Sequence, residues 1–220
     1  MRHAIFLLLL LTLACRESVA PEAVTTTTTA ETSQAPAPAV KGPKLLPVDE
    51  GERDPEFAAY RKELLDAVRR RDAEGVVALA DPKIRTDFGG GGGPDALRRT
   101  LSTDGVWRDL ETALSLGGTF LSGDAFWTPY VYSKWPDGED AFEALVVIGE
   151  NVPLRDTNGT TIATLSHDIV QRTDTRGQVK TADGKVGTVD PAKLWSPVGY
   201  RAGFNKIDGK WRMTGFVAGD

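Results

Sequence analysis

Cysteine and histidine are scarce in this 220-residue sequence, which contains one cysteine and two histidines. The single cysteine, Cys15, excludes an intramolecular disulfide, so the folded part must be held by its core alone. Zinc hydrolases need two or three histidines at ligand spacing, and only His167 lies beyond the N-terminal segment. No Gly-x-Ser-x-Gly motif accompanies His167, which we expect in a turn between two strands. The residue inventory therefore favours a non-catalytic protein that holds no metal and no cofactor.

The sequence also lacks an apolar run long enough to cross a membrane. Its leucine-rich run, residues 4–11, is too short for a hydrocarbon core about 30 Å thick, which a helix of ~20 residues spans. Because this run follows the positively charged start Met1-Arg2-His3, residues 1–15 are typical of an export signal peptide.

Basic patches are missing as well. Acidic residues outnumber basic residues by 31 to 26. The one basic run, residues 69–71, lies at the end of a predicted helix, where cations meet the negative end of the helix dipole. We therefore expect no nucleic-acid partner.

The residues around Cys15 resemble the lipobox of bacterial lipoproteins. The stretch Leu11-Thr12-Leu13-Ala14-Cys15 places a small residue before the cysteine, although Thr12 stands where an aliphatic residue is usual. The resemblance implies that Cys15 becomes the lipidated N-terminus and attaches the protein to a membrane. Because Arg16 follows Cys15 in place of an aspartate, it also implies an outer-membrane lipoprotein that faces the periplasm. The alternative is an ordinary signal peptide that contains a cysteine.

Residues 16–48 have the composition of a disordered tether. They include a threonine run at 25–29 and a Pro-Ala tract at 34–39, and almost none of them could be buried. A segment of some thirty residues could extend on the order of 100 Å from a lipid anchor. Such a tether would hold a folded head away from the membrane.

Helical patterns dominate residues 54–149. Asp54 is suited to cap a helix that has Pro55 in its first turn, and apolar residues recur at helical spacing up to about position 71. Further helices are predicted over residues 72–79 and 104–116. Five consecutive glycines at 89–93 lead into another helix and could cradle a phosphate. Pro94 removes a backbone donor there and no Lys-Ser or Lys-Thr follows, which favours a flexible loop.

Short strands separated by turns dominate residues 150–195. Three segments resemble a bacterial SH3-like (SH3b) domain: Asn-Val-Pro-Leu-Arg at 151–155, Ile-Ala-Thr-Leu at 162–165 and Val-Lys-Thr-Ala-Asp-Gly-Lys-Val-Gly-Thr-Val at 179–189. The resemblance implies a small all-β barrel, in keeping with the strand spacing. Two tryptophans that often line the ligand groove of this family are missing, and Thr188 replaces one of them. The resemblance therefore supports an SH3-like fold more strongly than it supports an SH3b-type ligand groove.

A β-hairpin is predicted over residues 199–220, with its turn at Asp208-Gly209. An aromatic strand followed by Asp-Gly-Lys-Trp resembles the closing hairpin of nuclear transport factor 2-like (NTF2-like) domains, which also begin with a helical hairpin. The resemblance implies that residues 199–220 complete the 54–149 domain, with the barrel inserted between them. The predicted fold class is therefore α+β: an N-terminal helical layer with a β-sheet, a small SH3-like barrel and a C-terminal β-hairpin.

Four aromatic residues between positions 126 and 136 are candidate ligand contacts: Trp127, Tyr130, Tyr132 and Trp135. Rings in such a cluster can line a groove for a glycan or a peptide, since they offer flat apolar faces and polar tips. The alternative is that these rings form a core around a strand.

Two functions from different classes remain. The first is a non-catalytic cell-envelope lipoprotein that binds or scaffolds peptidoglycan or a protein partner through its SH3-like barrel. The second is a carboxylate-dependent hydrolase of peptidoglycan glycan, with the barrel as a targeting module. Its candidate acids are Glu139, Asp140 and Glu143, which lie beside the aromatic cluster.

These two functions predict different results with purified sacculi. A binding protein sediments with sacculi and releases no muropeptides. A hydrolase digests them, and a Glu143→Gln variant would lose the digestion because glycosidase chemistry needs an ionisable carboxyl group. Chromatography of the released muropeptides decides between the two functions. Undiminished release by the variant would contradict the role of Glu143.

Overall fold

The structure, a computed structural model, describes residues 37–219. Cys15, the predicted signal peptide and the N-terminal part of the predicted tether lie outside these residues. Within residues 37–219 the strands form two sheets, of five and seven strands, and helices pack on the smaller sheet. This confirms the α+β fold class predicted from the sequence. No helix in this range is both long and apolar enough for a membrane span.

The helical layer begins where the sequence predicts. Asp54 caps α1 (Pro55–Arg69), because its carboxylate accepts hydrogen bonds from the backbone amides of Glu56 (2.8 Å) and Phe57 (3.1 Å). The same carboxylate accepts a hydrogen bond from Nε1 of Trp211 at 3.2 Å, which ties the start of α1 to the C-terminal hairpin. The other helices are α2 (Ala73–Leu79), α3 (Gly93–Leu101), α4 (Val106–Ser115) and the short α5 (Tyr130–Ser133).

The strands are short and follow one another closely between the helices and the C-terminus. In chain order they are β1 (Ala80–Arg85), β2 (Thr119–Ser122), β3 (Ala125–Thr128), β4 (Ala144–Val147), β5 (Val152–Arg155), β6 (Thr161–Leu165), β7 (Ile169–Arg172), β8 (Gln178–Lys180), β9 (Val186–Thr188), β10 (Leu194–Trp195), β11 (Arg201–Ile207) and β12 (Lys210–Val217).

The C-terminal hairpin forms the centre of the smaller sheet. Among the described residues this sheet has the order β1-β12-β11-β3-β2. Strand β11 pairs antiparallel with both β12 and β3, and β1 pairs parallel with β12. The strands of the larger sheet, β4 to β10, therefore lie in the sequence between two paired strands of the smaller one.

One face of the smaller sheet packs against the helical layer. The ring of Phe57 in α1 lies 4.3 Å from that of Phe126 in β3 and 5.4 Å from that of Phe204 in β11. Side chains alternate between the two faces of a strand, so Trp127 and Asn205 point away from the helices. This second face of the sheet carries the candidate site described below.

The larger sheet corrects the predicted barrel in two respects. Its order within residues 37–219 is β10-β4-β7-β8-β9-β5-β6, with β10 and β6 at opposite edges and no closure between them. Its first strand, β4, lies within residues 144–147, which the sequence analysis assigned to the 54–149 domain. The reason is the pairing of β4 with β7, where Leu145 lies opposite Val170. The core of the sheet consists of alternating aliphatic residues such as Leu154, Leu165 and Val179.

Residues 37–48, predicted as part of the tether, pack against the larger sheet instead. The backbone carbonyl of Pro38 accepts a hydrogen bond from the Thr164 amide at 3.1 Å, and the Val40 amide donates one to the Thr164 carbonyl at 3.2 Å. The segment thus occupies the edge of β6 through which a barrel would close. Val40 and Leu45 of this segment are buried, so two apolar side chains contribute to docking it alongside these hydrogen bonds.

An ion pair holds the end of this segment. Nζ of Lys44 lies 2.8 Å from Oδ1 of Asp168, and Asp168 is buried. The other oxygen of that carboxylate accepts a hydrogen bond from the Ser166 amide at 2.6 Å. A buried carboxylate needs such partners, because leaving it unpaired would be costly.

We expect Leu45→Ala to lower the free energy of unfolding by about 2–3 kcal/mol, the usual cost of truncating a buried leucine. The neighbouring Leu46→Ala is a matched control, since Leu45 is 7% exposed and Leu46 is 62% exposed. The control should change the stability by less than about 0.5 kcal/mol. Urea denaturation measures both variants, and equal effects would contradict the docking of residues 37–48.

Candidate functional site

A cavity of about 430 Å³ lies on the face of the smaller sheet opposite helices α1 to α4. We call it the aromatic–arginine cavity, because aromatic rings and guanidinium groups form most of its lining. The sheet contributes Trp127 from β3, Arg201 and Asn205 from β11, and Thr214 from β12. The remaining side walls come from Arg85 at the end of β1, Phe88 in the following loop, and Tyr132 in α5.

The indole of Trp127 forms the floor of the cavity. It lies over Gly203, its partner across the β3–β11 pair. A Cβ atom at position 203 would stand only 2.8 Å from the indole ring, so a side chain there would displace the ring. The Tyr132 ring packs against the indole with a centroid distance of 5.2 Å and an interplanar angle of 51°. The two rings together present an angled apolar surface.

Arg201 forms a fixed wall of the cavity. Its side chain is 5% exposed, and its guanidinium carbon lies 4.8 Å from the Tyr132 ring centroid and 5.2 Å from that of Phe88. Its Nη2 donates a hydrogen bond to the carbonyl of Gly219 at 2.8 Å, and Nη1 donates a longer one to the carbonyl of Gly199 at 3.4 Å. Ring stacking and these hydrogen bonds orient the guanidinium group.

The glycine-rich loop carries Phe88 to the rim of the cavity. Phe88 is exposed and lies within cation–π distance of Arg85 as well as Arg201, at 5.7 Å from the guanidinium carbon of Arg85. The carboxylate of Asp87 accepts a hydrogen bond from the Gly91 amide at 2.8 Å. A carboxylate therefore already occupies part of the loop that the sequence analysis considered as a phosphate cradle.

A polar pair completes the wall. The hydroxyl of Thr214 donates a hydrogen bond to Oδ1 of Asn205 at 2.7 Å. This contact leaves the amide nitrogen of Asn205 directed towards the carbonyl of Asp124, at 3.4 Å. The amide and the hydroxyl can each exchange hydrogen bonds with a bound ligand.

The four aromatic residues proposed from the sequence are separated by the fold. Trp127 and Tyr132 line the cavity. Tyr130 and Trp135 instead belong to an apolar cluster that packs α5 against the larger sheet and also includes Val146 of β4. Nε1 of Trp135 donates a hydrogen bond to the carbonyl of Glu139 at 2.9 Å, so its polar edge is satisfied within the chain.

Seven of the nine described lining residues were not proposed from the sequence, and three of these supply a charge or an aromatic ring: Arg85, Phe88 and Arg201. Each lies in a different segment, and none has a motif around it. The one available signal was the position of Phe88 directly before the glycine run, since an aromatic residue on a permissive loop is often used for contact.

The candidate acids lie outside the aromatic–arginine cavity. Oδ1 of Asp140 accepts hydrogen bonds from the amides of Phe142 (2.8 Å) and Glu143 (3.3 Å), so this carboxylate stabilises a turn. Glu143 is exposed, and Glu139 lines a separate depression beside Ile169. His167 occupies the turn between β6 and β7 with a φ of 58°.

The sequence matches no protein-family model and no curated protein. Among solved structures, it is similar to a protein from Xanthomonas campestris described as a calcium/calmodulin dependent protein kinase II association domain, at 15% identity and a TM-score of 0.30, covering 81% of this chain and 95% of that one. It is also similar to an NTF2-like protein of unknown function from Pseudomonas putida KT2440, at 12% identity and a TM-score of 0.28, covering 77% and 87% of the two chains. A third is an NTF2-like protein with a cystatin-like fold from Novosphingobium aromaticivorans, at 12% identity and a TM-score of 0.30, covering 76% and 80%. At these identities and TM-scores the similarities indicate no function for this chain.

Two buried tyrosines should respond in opposite ways to loss of the hydroxyl group. The hydroxyl of Tyr130 is buried and has no hydrogen-bond partner within residues 37–219, whereas that of Tyr60 donates to the carbonyl of Leu79 at 2.8 Å. We expect Tyr130→Phe to leave the stability unchanged or raise it by up to about 1 kcal/mol, and Tyr60→Phe to lower it by about 1 kcal/mol. Thermal unfolding at pH 7 measures both, and a loss of stability in Tyr130→Phe would contradict this assignment.

The same tyrosine predicts a pH dependence. Burial raises the pKa of Tyr130 to about 12 from an ordinary value near 10. Below the pKa of the unfolded chain, near 10, Tyr130 is neutral in both states and its titration does not affect the stability. Above that pH the unfolded chain releases this proton first, so the stability falls as the pH rises from there through 12. Tyr130→Phe should therefore lose less stability than the wild-type chain between pH 10 and pH 12.

Proposed function

We propose that this chain is a non-catalytic binding protein of the cell envelope that holds peptidoglycan in the aromatic–arginine cavity. The observation that supports it is the combination of two angled rings, guanidinium groups, an amide and a hydroxyl around one concave site. Rings stack on the apolar faces of sugars, and the polar groups supply directional hydrogen bonds. This is the binding function predicted from the sequence, but with the aromatic–arginine cavity as the binding surface in place of the SH3-like barrel.

The chemistry of the lining favours binding over catalysis. The nine described residues that line the cavity include no carboxylate, imidazole or thiol. A general acid or base works best with a pKa near the working pH, and guanidinium and amide groups lie far from it. The hydrolase alternative gains no support, because its candidate acids lie elsewhere.

The larger sheet is proposed as an SH3-like support and a second contact surface. A shallow groove of about 550 Å³ runs beside its β7–β8 loop, lined by residues that include Leu145, Arg172 and Gln178. The tryptophans that the related family uses are missing from the sequence. This surface therefore suits a protein partner better than a sugar, whose apolar face needs a ring to stack on.

Membrane attachment through Cys15 remains part of the proposal. If residues 1–15 are removed and Cys15 is lipidated, the protein is held at the outer membrane facing the periplasm. Because residues 37–48 pack on the larger sheet, the tether shortens to residues 16–36. A tether of that length could reach on the order of 70 Å if fully extended, which still brings the head to a distant polymer layer.

The test is sedimentation with purified sacculi, using the full chain with Cys15→Ser so that no lipid contributes. We expect Tyr132→Ala to reduce the affinity at least about five-fold, the equivalent of ~1 kcal/mol of lost stacking. Phe142→Ala is the matched control, since both rings are exposed, at 37% and 54%, and only Tyr132 lines the cavity.

Each outcome is decisive for one part of the proposal. If Phe142→Ala loses binding while Tyr132→Ala keeps it, the aromatic–arginine cavity is not the binding site. If the Cys15→Ser protein does not sediment with sacculi at all, peptidoglycan is the wrong ligand. Capture of a protein through the larger sheet would then become the leading function.

A further inference from the structure

We infer that the aromatic–arginine cavity selects ligands that carry a carboxylate, and that Arg85 is the residue that binds it. The inference rests on the proposed function, because it specifies which chemical group of peptidoglycan the cavity recognises. It is carried by the position of Arg85 and by what surrounds the cavity.

The backbone of Arg85 is fixed while its side chain is accessible. Arg85 ends β1, where it lies opposite Gly215 of β12 and also forms a β-bridge with Gly92. Its side chain is exposed at the cavity wall, and within residues 37–219 its guanidinium group has no ion pair. Some arginines of the chain are paired, such as Arg61 with Asp49 at 2.7 Å and Arg98 with Glu74 at 2.7 Å, whereas Arg85 combines a guanidinium group that has no ion pair among the described residues with a place in a cavity wall.

The chain as a whole has an excess of acids, 31 against 26 basic residues. None of the described residues in the cavity lining is acidic. An anion entering the cavity therefore meets a guanidinium group without a competing carboxylate in the lining. Guanidinium groups bind carboxylates through two parallel hydrogen bonds, which are stronger than bonds between neutral groups.

Phe88 limits the directions that the guanidinium group of Arg85 can take. Its ring centroid lies 5.7 Å from the guanidinium carbon of Arg85 and 5.2 Å from that of Arg201. A guanidinium group that is already held near an aromatic face loses less conformational entropy when it binds an anion. The entropic cost of binding is therefore lower.

The rest of the cavity fits an acetamido sugar that bears this carboxylate. The rings of Trp127 and Tyr132 offer a surface for the apolar face of a pyranose. Asn205 and Thr214 offer an amide and a hydroxyl for its polar substituents. A cavity of about 430 Å³ lies in the lower part of the ~300–1,000 Å³ range of ligand pockets, which suits one sugar unit with a substituent.

Peptidoglycan can present a carboxylate from two sources. One is the lactyl group of a muramic acid that has lost its peptide, and the other is a carboxylate of the attached peptide. Three probes separate these sources: N-acetylglucosamine, which has no carboxylate; N-acetylmuramic acid, which adds the lactyl carboxylate; and N-acetylmuramyl dipeptide, whose one free carboxylate lies on the peptide.

The experiment is a titration of the full Cys15→Ser chain with each probe at low salt, followed through the indole NMR signals. We expect at least one carboxylate probe to bind about five-fold more tightly than N-acetylglucosamine, and the preferred probe identifies the source. Arg85→Gln should abolish this preference, because it should lower the affinity for the preferred carboxylate probe about five-fold more than the affinity for N-acetylglucosamine. The preference should also shrink at 0.5 M salt, where charges are screened beyond about 4–5 Å.

Arg99→Gln is the control of equal charge change, because Arg99 is an exposed residue of α3 outside the cavity lining. It should leave all three affinities unchanged. Equal affinity of the wild-type chain for all probes would overturn the carboxylate inference while sugar binding at the cavity stands. Binding of no probe, together with no sedimentation with sacculi, would overturn the proposed function itself. A preference that survives in Arg85→Gln would remove Arg85 as the carboxylate-binding residue.

Discussion

Pairing of β11 with β3 is the interaction on which the rest of the structure depends. These strands are separated in the sequence by the whole of the larger sheet, yet they lie side by side in the smaller one. Their pairing places Phe204 beside Phe126 on the helical face and Gly203 beside Trp127 on the other. The core and the candidate site are thus opposite faces of the same strand pair. A change in register by one residue would exchange the two faces.

The cavity exists because one glycine faces one tryptophan. Gly203 has no side chain, so the indole of Trp127 lies flat over the strand and leaves room above it. Tyr132 and Arg201 then stack against each other at 4.8 Å along one side. Phe88 reaches the opening from a loop of glycines, where the backbone can adopt positive φ angles such as the 89° of Gly90. The lining of the cavity therefore comes mainly from the strands of the sheet, and one conformationally permissive loop supplies Phe88.

Elements with a local cause were predictable. Asp54 and Pro55 define the start of α1 because a capping carboxylate and a fixed φ act on adjacent residues. The hairpin turn at Asp208-Gly209 was predictable for the same reason, since both residues adopt positive φ. Trp127 and Tyr132 were proposed from composition, which could not distinguish them from the buried Tyr130 and the half-buried Trp135. Burial depends on which distant strands pack there.

The sequence by itself determined the cap of α1, the hairpin turn at Asp208-Gly209 and the α+β class, because these follow from neighbouring residues and short periodicities. Tertiary structure alone decided three features. Val40 and Leu45 pack onto a sheet whose strands lie about a hundred residues further along the sequence. The larger sheet does not close into a barrel, because β6 and β10 form its two edges. Arg85 and Arg201 lie in the wall of one cavity. Each of these features depends on contacts between distant segments. The free energy of such contacts comes from apolar surface that both segments bury against each other, so it cannot be read from either segment alone.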